Sequence, residues 1–379
     1  MPPTQILISA GEASGDMYAA RLATALRARA DVQLFGMGGP RMRDAGVDIV
    51  ADCSEVSVVG IVEIAKKYPA LKRVWNRILG ESVRRKPRLA ILTDFPGFHV
   101  RLARALKHQH VPTVYFVCPQ FWAWRPWRAN LVRRRFVRGL CIFPFEEGWY
   151  RSRGVPADFI GHPLVGNVAA GRSRAEFAAD FGLDAGKPII ALLPGSRSGE
   201  IAHHMPLLVQ ACRLIGKDRQ VQFVLALAPG MSKSQIAGYL RSDVPMHVVE
   251  DATYDALGAA DLAIVSSGTA TVEAALMNAP MIVVYRLSPI TAGIARWLVR
   301  TRMFAMVNLI AGRQVVPELV QKDFTPERVA KEAFRLLDSS AAREEMRRGL
   351  AEVRTKLGPP GAIDRAADII AAMLKQMER

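Results

Sequence analysis

Cysteine is scarce in this 379-residue chain: Cys53, Cys118, Cys141 and Cys212 stand far apart, and no two form a CxxC pair. That pattern argues against a zinc site or a disulfide framework and suits a reducing cytoplasm. No uncharged apolar run approaches the roughly 18 residues that a membrane-spanning helix needs. Residues 1–4 lead straight into an apolar run with no basic segment before it, so no secretory signal is expected. The expectation is a protein that is soluble or lies on a membrane without crossing it. No DxD pair is present to hold Mg²⁺, and His203 and His204 have no carboxylate cluster to match them. Neither a metal nor a cofactor is therefore expected.

Acidic residues are also in deficit, 35 against 51 Lys and Arg, for a net charge of +16. The imbalance is uneven, since residues 1–165 hold 25 of the basic side chains and 13 of the acidic ones. A basic N-terminal half implies an anionic partner: a phosphate-bearing substrate, an acidic lipid surface or a nucleic acid. The arginines form no recognisable nucleic-acid-reading motif, and a nucleic acid would leave the glycine-rich loops unexplained, so none is expected as a partner.

Half of the residues are apolar, and the length suits two domains. The most informative stretch is 262–276. A short apolar run is followed by Ser266, Ser267, Gly268 and Thr269, then by a helical pattern with Val272, Ala275 and Leu276 on one face. A strand, a tight turn of small residues and a helix make an anion cradle, because the first helical N–H groups are unpaired and the dipole is positive there. Glu273 lies about one turn in, where a carboxylate suits sugar hydroxyls better than phosphate. It reads as a ribose ligand behind a diphosphate; an ordinary capped helix is the alternative.

The N-terminal half opens with a strand at 6–10, the turn GEASGD at 11–16 and a helix over 17–29. This start is Rossmann-like without the G-x-G-x-x-G fingerprint. A second strand at 32–35 runs into the glycine-rich loop 36–40, where Gly38 would let a ligand touch backbone. The strand 89–93 ends at Asp94, at the end of a strand where catalytic groups gather in open α/β sheets. Asp94 is either a general base or a helix N-cap.

In residues 56–79, Ile61, Ile64, Tyr68, Leu71, Trp75 and Ile78 recur at three- and four-residue spacing between lysines and arginines. Pro69 is expected to break the run into two short helices. The pattern fits an interfacial membrane helix and equally a helix packed on its own sheet. Trp122, Trp124 and Trp127 stand among Arg125 and Arg128, and Arg133, Arg134, Arg135 and Arg138 extend a basic face. Trp122 and Arg125 are candidates for a sugar-stacking or headgroup-binding rim.

The second half repeats the logic. A strand over 188–193 leads into PGSRSGE at 194–200, where Arg197 is placed for a bidentate hold on a diphosphate. Asn308 sits in a segment read as a polar loop, and helices are expected over 326–356 and 362–377. The domain expectation is 1–165 and 166–344, with a C-terminal helical segment at about 345–379 packing back on the first domain or on a partner subunit.

Eight segments carry a resemblance: GEASGD (11–16), GMGGPRM (36–42), SVVGIVEI (57–64), WAWR (122–125), GHPL (161–164), PGSRSGEI (194–201), SSGTATVEAAL (266–276) and NLIAGRQVVPELVQ (308–321). In this order they resemble lipid-A-disaccharide synthase, a family of inverting glycosyltransferases. The resemblance implies two Rossmann-like domains facing a cleft, the GT-B architecture. It implies transfer from UDP-2,3-diacylglucosamine to 2,3-diacylglucosamine 1-phosphate, giving a β-1,6-linked disaccharide and UDP. By the same resemblance Arg197, Ser267, Thr269, Glu273 and Asn308 belong to the UDP-sugar side, with Gly268 in the same turn, and Asp94 and Glu12 are candidate bases. The family usually has D-x-P-D-F-N where this chain has Asp94-Phe-Pro-Gly-Phe-His99, so Asp94 acts alone, with Glu12 or with His99. The resemblance also implies a homodimer and a cytoplasmic enzyme peripheral to the inner membrane, touching its inner leaflet through 58–79. On the residues alone, the alternative is another transferase or 2-epimerase acting on a UDP-N-acetylglucosamine-type sugar.

Overall fold

The computed structural model describes residues 3–56, 61–240, 243–287 and 303–377. The chain divides into two compact units, residues 1–163 with 358–379, and residues 164–357.

The first unit is built on a seven-stranded sheet. Its strands are β1 (Thr4–Ala10), β2 (Val32–Gly38), β3 (Asp48–Asp52), β4 (Leu89–Thr93), β5 (Thr113–Phe116), β6 (Arg138–Cys141) and β7 (Ala157–Phe159). They lie in the order β3-β2-β1-β4-β5-β6-β7, and every pair is parallel. The central strand β4 is buried along its whole length. That is why its sequence is a continuous apolar run: helices cover both faces of a parallel sheet.

The second unit has a six-stranded parallel sheet of β8 (Ile189–Leu193), β9 (Gln222–Ala226), β10 (Met246–Val249), β11 (Leu262–Ser266), β12 (Met281–Tyr285) and β13 (Glu318–Val320), in the order β10-β9-β8-β11-β12-β13. In both sheets the direction of winding reverses once, between β1 and β4 and between β8 and β11. Open α/β sheets form crevices for ligands at such reversals, outside the carboxyl ends of the strands.

Four expectations change. Residues 61–85 form one helix with Pro69 inside it. The proline costs one helical hydrogen bond, but Val74 and Ile78 downstream are fully buried and anchor the continuing turns. Leu71, Trp75 and Leu79 also pack on that core. From Leu71 onward, therefore, the apolar stripe packs at least in part on the core of its own unit. Residues 57–60 and the side chains of 61–68 lie outside the described part.

Gly36 and Gly38, read as loop, belong to β2, where the register shifts between Gly36 and Met37. A side chain on Gly36 would collide with the Ile8 carbonyl of β1, and one on Gly38 with Met42. Gly38 is buried, and the Met42 side chain packs where a side chain of its own would stand. Asn308, read as loop, lies in the helix Met306–Ala311.

The C-terminal segment splits between the units. The helix Ser340–Lys356 stays with the second, and Ala362–Met377 lies along the helix Ala13–Arg27 of the first. There Arg29 pairs with Asp364 at 2.9 Å and Asp368 at 2.6 Å.

Candidate active site

At the reversal of the first sheet, β1 and β4 deliver neighbouring turns. Glu12 is the N-cap residue of the helix Ala13–Arg27 in extended conformation, yet its side chain makes no capping bond. Its carboxylate is not spent on closing the helix. Asp94 and Phe95 follow β4 with φ of 50° and 47°, two successive left-handed residues that are not glycine. Each costs of the order of 1–2 kcal/mol, and such strain persists only where the surroundings over-determine it.

The surroundings do so here. The Asp94 carbonyl accepts from the Tyr115 hydroxyl at 2.9 Å and from His99 Nδ1 at 2.8 Å. A carbonyl only accepts, so Nδ1 carries the proton, and Nε2 accepts from the Ser9 hydroxyl at 2.9 Å. The Phe95 ring lies against Gly11, where any side chain would strike it, and stacks on Phe98 at 5.7 Å. Burial lowers the pKa of His99 to about 4, so its imidazole is neutral. Both ring nitrogens are engaged, one by backbone and one by Ser9. His99 therefore shapes the turn that carries Asp94 and is not an acid–base partner of its carboxylate. Burial also raises the Tyr115 phenol well above its usual range, and the charges of Asp94 and Glu12 add to this.

The rest of this edge is framework. Asp16 accepts from the backbone N–H groups of Gly39 at 2.6 Å, Arg41 at 3.1 Å and Met42 at 3.2 Å, tying the GEASGD turn to the end of β2. Trp122, expected at a stacking rim, donates its indole N–H to the buried Glu146 at 3.0 Å and packs on Phe145. Burial pushes Glu146 up to about 8 against the pull of that indole and of backbone donors. Arg125 stacks over Trp124 at 4.4 Å, and its Nε is buried without a partner among the described residues.

In the second unit, β8 and β11 are neighbours, and their turns emerge side by side. Arg197 is the N-cap residue of the helix Ser198–Asp218; its guanidinium is exposed and only loosely paired with Glu200 at 3.3 Å. Buried His204 pins this loop, its Nδ1 donating to the Pro194 carbonyl at 2.7 Å while its Nε2 accepts from the Arg286 N–H at 2.9 Å. After β11, Gly268 caps the helix Thr269–Leu276 with φ of 145°, a conformation only glycine adopts freely. A side chain there would meet no described residue within 4 Å. Ser267 donates to the Phe304 carbonyl at 3.1 Å. Glu273 accepts from Tyr254 at 2.9 Å, and burial raises its pKa. One residue before each of the two key turns, Thr93 Oγ1 and Ser266 Oγ are buried with no partner among the described residues.

A profile of the family described as lipid-A-disaccharide synthetase matches residues 6–369. A protein of Solibacter usitatus (strain Ellin6076) named lipid-A-disaccharide synthase is 45% identical over 375 residues, 98% of this chain and 98% of its own. One of Myxococcus xanthus (strain DK1622) with the same name is 44% identical with the same coverage. This chain belongs to the lipid-A-disaccharide synthase family. Its architecture is that of GT-B glycosyltransferases and related epimerases. The crystal structure of UDP-GlcNAc 2-epimerase from Neisseria meningitidis bound to UDP-GlcNAc superposes with a TM-score of 0.63 at 11% identity, covering 98% of this chain and 100% of that one. Likeness at that identity concerns the fold alone.

Within this family member, the structure gathers Glu12 and Asp94 at one reversal, and Arg197, Ser267, Gly268 and Thr269 at the other. Glu273 stands one helical turn behind the second group. Asn308 does not join them. Its side-chain amide donates to the Val316 carbonyl at 2.9 Å and to Glu318 at 2.7 Å, and its oxygen accepts from the N–H groups of Val315 at 2.7 Å and Val316 at 3.0 Å. All four of its hydrogen-bonding positions are used, so it braces the fold and has none left for a sugar. Sequence reasoning missed Ser9 and Tyr115, which hold the Asp94 turn. Nothing in their local pattern marks them, because they act through the sheet register.

Proposed function

We propose that this chain joins UDP-2,3-diacylglucosamine to 2,3-diacylglucosamine 1-phosphate, forming the β-1,6 lipid A disaccharide 1-phosphate and UDP. Asp94 takes the proton of the acceptor's 6-hydroxyl, with Glu12 beside it as the second carboxylate. The oxygen attacks the anomeric carbon from the face opposite UDP, the C–O bond to the diphosphate breaks, and the anomeric centre inverts in one displacement. Arg197 and the N–H groups at the start of the helix after Gly268 receive the charge that develops on the departing diphosphate. Glu273, fixed by Tyr254, accepts from the ribose hydroxyls.

The observation that carries this reading is the division of labour between the two reversals. One presents carboxylates on a strained, braced turn; the other presents an exposed cation beside an open helix N-terminus. The same reading has the enzyme work at a membrane surface as a homodimer, since both substrates carry acyl chains. Among the described residues no helix is long and apolar enough to cross a membrane.

Coupled UDP release from UDP-2,3-diacylglucosamine, with and without acceptor, is the test. Acceptor-dependent release with a disaccharide product is the expected result. Turnover of UDP-N-acetylglucosamine without acceptor would move the chain to the epimerases.

A further inference from the structure

A groove of about 660 Å³ opens beside the Asp94 turn, with Pro96 and Gly97 at its lip. Trp75, Val100 and Leu131 give it an apolar wall. Arg101, Arg104 and His108 line it from one face of the helix Pro96–His108, at three- and four-residue spacing. Arg128 and Arg135 face it from the helical stretch 126–135, and among the described residues no carboxylate lines it.

Other arginines of this unit do have carboxylates at hand: Arg85 pairs with Asp48 at 2.6 Å, and Arg29 and Arg138 have carboxylates as close. Among the described residues, none of the four groove arginines has such a partner. Arg135 is held by the Val100 carbonyl at 2.8 Å, which fixes the fork without neutralising it. Burial lowers the pKa values of Arg128 and Arg135, and the like charges of Arg125 and Arg101 on the first and of Arg104 and Arg134 on the second add to it. Arg128 and Arg135 are half-buried and Arg101 and Arg104 exposed beside them, and guanidinium groups that repel one another in this way favour an anion that completes the set.

We propose that this groove seats a phosphate monoester on an acylated carrier and, resting on the transferase reading above, that the phosphate is the 1-phosphate of the acceptor. The chemistry fits in three ways. Guanidinium groups match phosphate oxygens in bidentate fashion. The apolar wall lies beside them, as an acylated sugar requires. The acceptor's 1-phosphate and 6-hydroxymethyl group stand on the two carbons that flank the ring oxygen of one sugar, and the groove begins two residues beyond Asp94.

The test compares Arg101→Ala/Arg104→Ala with Arg348→Ala/Arg354→Ala, which removes the same charge from exposed positions in the other unit. In neutral detergent micelles the groove variant should raise the KM for the phosphorylated acceptor tenfold or more, with kcat and the donor KM within twofold. The control should match the unaltered enzyme. Equal rises in both variants would mean general attraction and overturn the proposal. Titration with dodecyl phosphate separates this from the activity reading. If the unaltered protein binds it and the groove variant does not, while no acceptor-dependent UDP release occurs, the transferase reading fails and the groove stands. If dodecyl phosphate ignores the substitution, the groove fails. A variant that keeps its acceptor KM but loses binding to phosphatidylglycerol vesicles would give the phosphate to the membrane and overturn the assignment to the acceptor.

Discussion

Asp94 occupies a backbone conformation it could not hold alone. Tyr115 and His99 hold its carbonyl, Ser9 holds His99, and Gly11 makes room for the Phe95 ring. Asp94→Asn keeps the shape and these backbone contacts and removes the basicity. It should lower kcat at least a hundredfold with an unchanged melting temperature; near-normal turnover would take the base role away from Asp94. His99 makes a pH prediction. Its folded pKa of about 4, and that of about 3 for buried His162, lie below the unfolded value near 6.5. As pH falls through 6.5 the unfolded chain takes up protons that the folded chain refuses. Stability is therefore lost progressively from 6.5 downward and, on this account, is constant above pH 7. The loss is of the order of 3 kcal/mol per histidine by pH 4. Melting temperatures of the unaltered protein and of His99→Asn between pH 7.5 and 5 test it: the variant should show the shallower slope. Asn308 belongs to the same scale. Asn308→Ala removes four hydrogen bonds, two of them fully buried, and should cost about 2–4 kcal/mol in a thermal melt without lowering kcat/KM of the folded protein.

At the scale of elements, both sheets bring their functional turns out where the winding reverses, and the strands feeding them were the most legible part of the sequence. The runs ending in Thr93 and Ser266 are apolar throughout because each lies mid-sheet under helices on both faces. The small residues after Ser266 and the arginine after Gly195 were legible for the same local reason, since a turn that admits an anion leaves its mark within a few positions. What the sequence concealed depends on distant partners. Pro69 looked like a helix breaker because its penalty is local, whereas the anchoring of Val74 and Ile78 is tertiary. Gly38 looked like a ligand loop because the approach of Met42 has no sequence signature. Asn308 looked like a polar loop because its partners at Val316 and Glu318 close a turn that only the fold defines. Arg101 and Arg104 were open to helical-spacing analysis, but short basic helices are common and only the adjoining Trp75 and Leu131 turn this one into a groove. The turn after β11 carries its own prediction. Gly268→Ala places a side chain where no described residue stands within 4 Å but forces it into a glycine conformation. The backbone should shift at a cost of about 1–2 kcal/mol, and UDP binding by calorimetry should weaken tenfold or more. Unaltered UDP affinity would mean that these N–H groups do not hold the diphosphate.

For the whole molecule, the path of the chain matters more than its length. It leaves the first unit after Pro163, builds the second, and returns at Gly358 to finish the first. The returning helix Ala362–Met377 buries Ala366, Ile370 and Leu374 and ties Arg29 through Asp364 and Asp368. Arg365 also reaches back to the Ile160 carbonyl at 2.8 Å. Burial of each large apolar side chain contributes roughly 1.5–3 kcal/mol, so this helix contributes several kcal/mol to the first unit. A chain ending at Leu357 should therefore melt in two steps. The first unit should unfold at clearly lower temperature, with the apolar face of the helix Ala13–Arg27 uncovered, while the second keeps its transition. Calorimetry with UDP separates them, because only the second transition should rise in temperature when UDP is added. A truncated chain with one unshifted transition would mean that the C-terminal helix is an accessory to the first unit and not part of its core.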